Sequence, residues 1–213
     1  SASNVAISTV TVNAVNDDPI ATITAASYTA TENVVLDLHG TGMAVSDIDA
    51  LATSVVTVYL DSISGLLSAT AGTTGVTIAG SGTPSLTFTG TIAQINSLLA
   101  GGGGATVAYL VGSDSPAPTD TLSLAINDMG ATGAGGARWG WDSVTVNLIA
   151  VNDAPLITIP GTATTAEDTP LVFSAGAGNQ VSITDVDAAG TPVEVALSVT
   201  NGTLNLAGAA GLT

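Results

Sequence analysis

The oxygen-bearing side chains of this sequence come in small recurring groups. Asp47-Ile48-Asp49 is matched by Asp185-Val186-Asp187, Asn16-Asp17 by Asn152-Asp153, and Glu32 by Glu167. In an extended segment two carboxylates at i and i+2 point to the same side. Each Asn-Asp pair leads into a proline, Pro19 or Pro155, that stops the preceding strand from continuing. Asp128 follows the apolar run Leu122 to Ile126, and no imidazole or thiolate stands beside any of these groups. Several convergent carboxylates, supplemented by Asn and backbone carbonyls, are what Ca²⁺ requires, because it takes six to eight oxygens at about 2.3–2.6 Å. The candidate metal ligands are therefore Asn16, Asp17, Glu32, Asp47, Asp49, Asp128, Asn152, Asp153, Asp185 and Asp187. A plainer reading stands beside this one, since Asp and Asn favour turns for their local hydrogen bonds alone. It is the recurrence of the set that favours metal over turns. Asp37, Asp61, Asp114, Asp120, Asp142 and Glu194 are assigned to the solvated surface.

Those groups lie on a longer repeat. Val15-Asn16-Asp17-Asp18-Pro19 returns as Val151-Asn152-Asp153-Ala154-Pro155, preceded in both places by an alternating run. Thr31-Glu32-Asn33-Val34 then corresponds to Ala166-Glu167-Asp168-Thr169, Ser46-Asp47-Ile48-Asp49-Ala50 to Thr184-Asp185-Val186-Asp187-Ala188, and Gly65-Leu66-Leu67 to Gly202-Thr203-Leu204. The order of landmarks is the same, with a period of about 136 residues. On this basis residues 18–152 are expected to form one complete repeat. Residues 1–17 read as the last strand of a preceding repeat and residues 153–213 as the first half of a following one. The chain thus reads as an excerpt from a longer array.

Composition narrows the class. The 213 residues include 17 Asp and Glu but a single Arg and no Lys, for a formal net charge of −16. Only 8% of residues are charged, against roughly 25% in an ordinary globular chain, so cations are missing rather than acids in excess. Nucleic acid and anionic membrane surfaces are poor partners for such a chain, because both are held by Lys and Arg. There is no Cys, which excludes disulfides and thiolate zinc sites. The mean hydropathy is +0.54, and Ser62 to Ser113 carries no charge, yet Pro84 and Gly101 to Gly104 interrupt it well short of the ~18 apolar residues of a membrane span. No basic segment followed by an apolar one opens the sequence, so export is expected to be directed from outside these residues.

The elements that must position the acids are mostly β. Short apolar or alternating runs at Val34 to Leu38, Val55 to Leu60, Val76 to Ala79, Leu86 to Phe88, Ala105 to Val111, Leu122 to Ile126 and Val144 to Ile149 are separated by turn residues. Hydrophobic residues make up 46% of the chain and aromatics only 3%, so the core is expected to be aliphatic. The spacing predicts an all-β sandwich. One helix is predicted over Ile92 to Ala100, with Thr91 as N-cap and Gly101 after its end, as a crossover that lets a strand change sheets.

Taken together, Asn152-Asp153-Ala154-Pro155 after an alternating strand, the early Glu32, the Asp47/Asp49 pair, and Asn127-Asp128 before a Gly-rich turn resemble the cadherin repeat. More closely, the chain is similar to the cadherin-like, Ig-like β-sandwich tandem repeats of large bacterial surface adhesins. The resemblance implies sandwiches joined by calcium at each interdomain junction, which stiffens the array into a rod. It implies one junction of Glu32, Asn152, Asp153, Asp185 and Asp187, and another of Asn16, Asp17, Asp47, Asp49 and Asp128. The Asp-Arg-Glu element of animal cadherins and the second linker Asn are missing.

Catalysis is not expected. His39 is the only histidine, Arg138 the only cation, and no Gly-x-Ser-x-Gly turn is present. The expected function is that of a calcium-stiffened extender at the cell surface or in an extracellular fibre. Its partners are neighbouring repeats and other copies in a fibre, not nucleic acid, and this segment is not expected to insert into a membrane. The alternative is a carbohydrate- or protein-binding adhesion module using Trp139 and Trp141, which follow Gly130 to Gly136. The favoured reading against it is that the two Trp begin the last strand and pack its inner face or brace the junction. The Thr-rich alternation at Leu86-Thr87-Phe88-Thr89 fits a flat ligand face or an ordinary solvated strand, and Asn201-Gly202-Thr203 is read as a turn.

Overall fold

Alternation of apolar and polar residues decides most of the architecture. The computed structural model describes residues 7–130 and 132–208, and it divides into two units, Ser1–Asn152 and Asp153–Thr213. The first unit contains β1 (Ile20–Ile23), β2 (Tyr28–Thr31), β3 (Leu36–Asp37), β4 (Met43–Ser46), β5 (Val55–Ser62), β6 (Leu66–Thr70), β7 (Thr77–Ala79), β8 (Ser85–Thr91), α1 (Ile92–Leu99), β9 (Thr106–Leu110), β10 (Thr119–Asn127) and β11 (Trp139–Ile149). A six-stranded sheet runs in the order β2-β11-β10-β5-β8-β7, a three-stranded sheet in the order β3-β9-β6, and β1 pairs with β4. Neighbours in the large sheet are antiparallel except β2 and β11, which run parallel with Tyr28 opposite Val146 and Thr31 opposite Ile149.

Every second residue of β5, β8 and β10 is buried. Val58, Leu60, Phe88, Leu122 and Leu124 from the large sheet join Leu67, Val107 and Tyr109 from the small one in a single core. That core is aliphatic with Tyr109 and Phe88 as its largest members. The result is all-β with sandwich-like layering.

The helix lies where its sequence signals put it. Thr91 caps it, its hydroxyl accepting from the Gln94 N–H at 3.3 Å while its own N–H donates to Gln94 Oε1 at 2.9 Å. This reciprocal capping satisfies two N–H groups that the helix start leaves open. Ile95, Leu98 and Leu99 bury one face, and Gly101 takes the left-handed conformation past the end, φ 78°. α1 carries the chain from β8 in the large sheet to β9 in the small one, the sheet change that its position between the two runs predicts.

Other expectations shift. The run Val34 to Leu38 yields only Leu36–Asp37 as strand. Of the expected strand over residues 1–17, residues 1–6 lie outside the described residues; residues 7–14 form no strand, and Val15 makes one parallel bridge, to Ala134. In the second unit β12 (Leu156–Thr158) pairs with β13 (Ser182–Thr184), and residues 209–213 lie outside the described residues. No helix among the described residues is long and apolar enough to cross a membrane.

Candidate metal centre

The two Asp-x-Asp motifs adopt the same conformation, and it is a bend rather than an extended run. Asp47 Oδ1 accepts from the N–H groups of Asp49 at 2.8 Å and Ala50 at 3.3 Å. Asp185 Oδ1 accepts from Asp187 and Ala188, both at 3.0 Å. The first Asp of each pair therefore holds a turn, which leaves the second free to receive the Asn-Asp segment. Asp49 Oδ2 accepts from the Asp17 N–H at 2.6 Å, and Asp187 Oδ2 accepts from the Asp153 N–H at 2.5 Å.

Flanking geometry repeats too. Ile20 faces Ser46 across β1 and β4 as Leu156 faces Thr184 across β12 and β13. Asn33 and Asp168 share positive φ values of 57° and 61°. Each sits in a turn closed by a backbone bond, Val34 N–H to Thr31 at 3.1 Å and Thr169 N–H to Ala166 at 3.2 Å.

Glu32 occupies the point where β2 and β11 end together. Its N–H donates to the Ile149 carbonyl at 2.9 Å, and its Oε2 accepts from the Val151 N–H at 3.0 Å. The side chain is only 2% exposed. Asn33 N–H donates to the Val111 carbonyl at 2.9 Å, and this tie brings the loop after β9 alongside. Asp114 in that loop shares the Asn33 side-chain amide with Glu32: Asn33 Nδ2 donates to Glu32 Oε1 and to Asp114 Oδ1, each at 3.3 Å. A carboxylate oxygen of Glu32 lies within 4.8 Å of one of Asp114. Among the described residues, Glu32 and Asp114 are acidic side chains of the first unit close enough to one another to share a metal ion. Asp153 follows Val151 by two residues, and two residues of chain span at most about 7 Å. Its backbone thus stays near the Glu32 carboxylate by connectivity alone. Asp114, assigned to the solvated surface from sequence, is the functional candidate that sequence reasoning missed.

The donor chemistry suits a hard cation. Both groups are carboxylates, and the side-chain amide of Asn33 lies beside them. Arg138, the chain's one cation, pairs instead with Asp18 at 2.9 Å.

Around Asn16 the arrangement differs. Asn16 Nδ2 donates to Asp128 Oδ2 at 2.5 Å and to the Gly136 carbonyl at 2.8 Å. Asp128 Oδ1 accepts from the N–H groups of Gly130 at 2.8 Å and Arg138 at 2.7 Å. Burial raises the Asp128 carboxyl's pKa, but these bonds and the nearby Arg138 charge outweigh it and hold the group below the usual carboxylate range. Asp128 thereby ties both ends of the glycine-rich loop that enters β11. The Thr132 hydroxyl in that loop donates to the Asp49 carbonyl, so Asn16, Asp17, Asp49 and Asp128 share one network. Within it Asn16 Oδ1 is buried and accepts no hydrogen bond.

Asp120 is buried rather than solvated. It accepts from the hydroxyls of Ser62 and Tyr109, both at 2.8 Å, and from the N–H groups of Ile63 at 3.1 Å, Ser64 at 3.3 Å and Gly65 at 2.9 Å. It serves as the clasp of the β5–β6 turn. Gly65 is required there, since a Cβ would collide with the Tyr109 ring.

Trp139 and Trp141 lie on the outward face of β11. Trp139 stacks on Tyr59 with ring centroids 5.5 Å apart and 29° between planes, and Trp141 is 77% exposed. The inner-face packing open to them from sequence is not what forms. No protein-family model and no curated protein matches the chain.

Proposed function

We propose that this chain is a structural extender of an extracellular adhesin or surface fibre. Its cadherin-like repeats are held stiff by calcium bound where one repeat joins the next, and it performs no catalysis. The observation that carries the reading is the buried Glu32 carboxylate. It is hydrogen-bonded to Val151 at the start of the Asn152-Asp153 segment, with Asp114 beside it, while the one Arg of the chain pairs with Asp18. Two carboxylates about 5 Å apart repel by roughly 3 kcal/mol at an effective dielectric near 20, and a divalent ion reverses that sign. The matching conformations of residues 17–50 and 153–188 support a second copy of the same ligand arrangement, as a repeat requires.

In this reading Glu32, Asp114, Asn152, Asp153, Asp185 and Asp187 bind one junction's calcium. Asn16, Asp17, Asp47 and Asp49 serve the other, with Asp128 fixing Asn16 from behind. The ion supplies cross-linking charge; the chain supplies oxygens already oriented by β-strand ends and Asx turns. The neighbours along the array are repeats of the same chain. Calorimetry of the full chain in calcium and in EDTA is the test. Chelation lowers Tm if calcium is structural, and an unchanged Tm overturns the reading.

A further inference from the structure

The outward face of the six-stranded sheet takes no part in the core. Strand register lines Trp139 up with Thr57 and Thr89, and Trp141 with Tyr59 and Thr87. Ala125 lies between Trp141 and Tyr59 in that second row. Strands are spaced about 4.8 Å apart, so the backbones that carry Trp141 and Tyr59 stand roughly 10 Å apart, with the Ala125 methyl as the one side chain between them in that row. The Tyr59–Trp139 stack holds one wall in place, while Trp141 leaves most of its indole in water. A large aromatic kept exposed on an open sheet face is the informative kind of surface residue.

Charge and polarity select the occupant. Asp61 is the one charged residue on this outward face of β5, β8, β10 and β11, and it carries no cation there. A phosphorylated, sulfated or sialylated ligand would find no counter-charge and would meet a chain of net charge −16. A protein partner is usually met by an apolar patch core, whereas the residues around these rings are hydroxyls. A neutral sugar offers the complement, with an apolar C–H face to lie on an indole and hydroxyls to bond Thr and Asp side chains.

We propose that this face binds a neutral polysaccharide, with Trp141 as its platform, the Tyr59–Trp139 stack as its wall, and Asp61 and Thr87 as hydrogen-bonding edges. The site lies wholly within the first unit and requires no metal, so it stands independently of the calcium reading.

The test is affinity electrophoresis of the full chain in EDTA through gels containing β-glucan, galactomannan or dextran, paired with tryptophan fluorescence titration. At least one of these retards the wild type and shifts its emission. Trp141→Ala weakens binding about tenfold or more with an unchanged circular dichroism spectrum. Val34→Ala, an exposed apolar site off this face, leaves it intact. The proposal fails if no neutral polysaccharide retards the chain, or if Trp141→Ala binds as the wild type does. It also fails if Trp141 governs only self-association in the ultracentrifuge, which would make the face a protein-docking surface.

Discussion

Glu32→Gln should change the sign of its effect with calcium. The substitution keeps an oxygen to accept from Val151 and keeps the side-chain volume, but removes one charge from the pair whose ligand atoms lie within 4.8 Å. Without metal, that charge costs stability. The full repulsion of roughly 3 kcal/mol at an effective dielectric near 20 is screened because Asp114 is exposed, leaving about 1 kcal/mol. For a unit of this size, about 1 kcal/mol moves Tm by about 2–4 °C, so in EDTA the variant melts higher than the wild type by about that much. With calcium at about 100 times its Kd, one bound ion stabilises the wild type by about 2.7 kcal/mol. The variant, short of one anionic ligand, keeps little of that gain and melts lower. The assay is differential scanning calorimetry of both proteins in EDTA and along a calcium series. A Glu32→Gln chain that melts below the wild type by the same margin in both conditions would refute the argument, because Glu32 would then act only through its hydrogen bonds.

Asp120 governs acid stability. Burial raises its pKa, but hydrogen bonds from Ser62, Tyr109, Thr121 and Gly65 outweigh that and lower it to about 2. A carboxyl depressed from its ordinary 3.8 contributes stability that is complete above that value and is lost as pH falls through about 2. The contribution is about 2 kcal/mol. Asp120→Ala removes it at neutral pH, strands several buried donors, and flattens acid denaturation between pH 4 and 2; an unchanged acid limb argues against the clasp. Asp185→Ala with Asp187→Ala raises interdomain flexibility in calcium, read by small-angle scattering, and forfeits part of the calcium-dependent rise in Tm; identical scattering profiles count against the junction. Thr91→Ala costs about 1 kcal/mol by loss of the helix cap, read as a lowered urea midpoint with unchanged slope.

What could be read in advance followed from local pattern. The helix bounds came from Thr91 and Gly101, and β5, β8 and β10 from strict alternation. Asp120 was within reach of the same logic: it is in phase with Leu122, Leu124 and Ile126, so alternation turns it inward. Trp139 and Trp141 are likewise in phase with Ser143 and Thr145, opposite to the buried Val144 and Val146. Asp114 was not legible. Its approach to Glu32 depends on the pairing of β3 with β9 and on the Asn33–Val111 bond, contacts between segments about eighty residues apart that no local pattern encodes. The bend at Asp47 and Asp185 replaced the expected extended run because each side chain captures two backbone N–H groups, a turn preference that outweighs the strand tendency of Ile48 and Val186.

The parallel pairing of β2 with β11 has a mechanical meaning. A pull on the chain at residues 20 and 150 is transmitted along these two neighbouring strands in opposite directions. Their hydrogen bonds are loaded in shear and must yield together, whereas a hairpin pulled from its open end unzips one bond at a time. The Glu32 N–H to Ile149 and Val151 N–H to Glu32 bonds lengthen that shear seam by one more rung at its outer end. An ion seated on Glu32 would act as a rivet at the place where force enters the sheet.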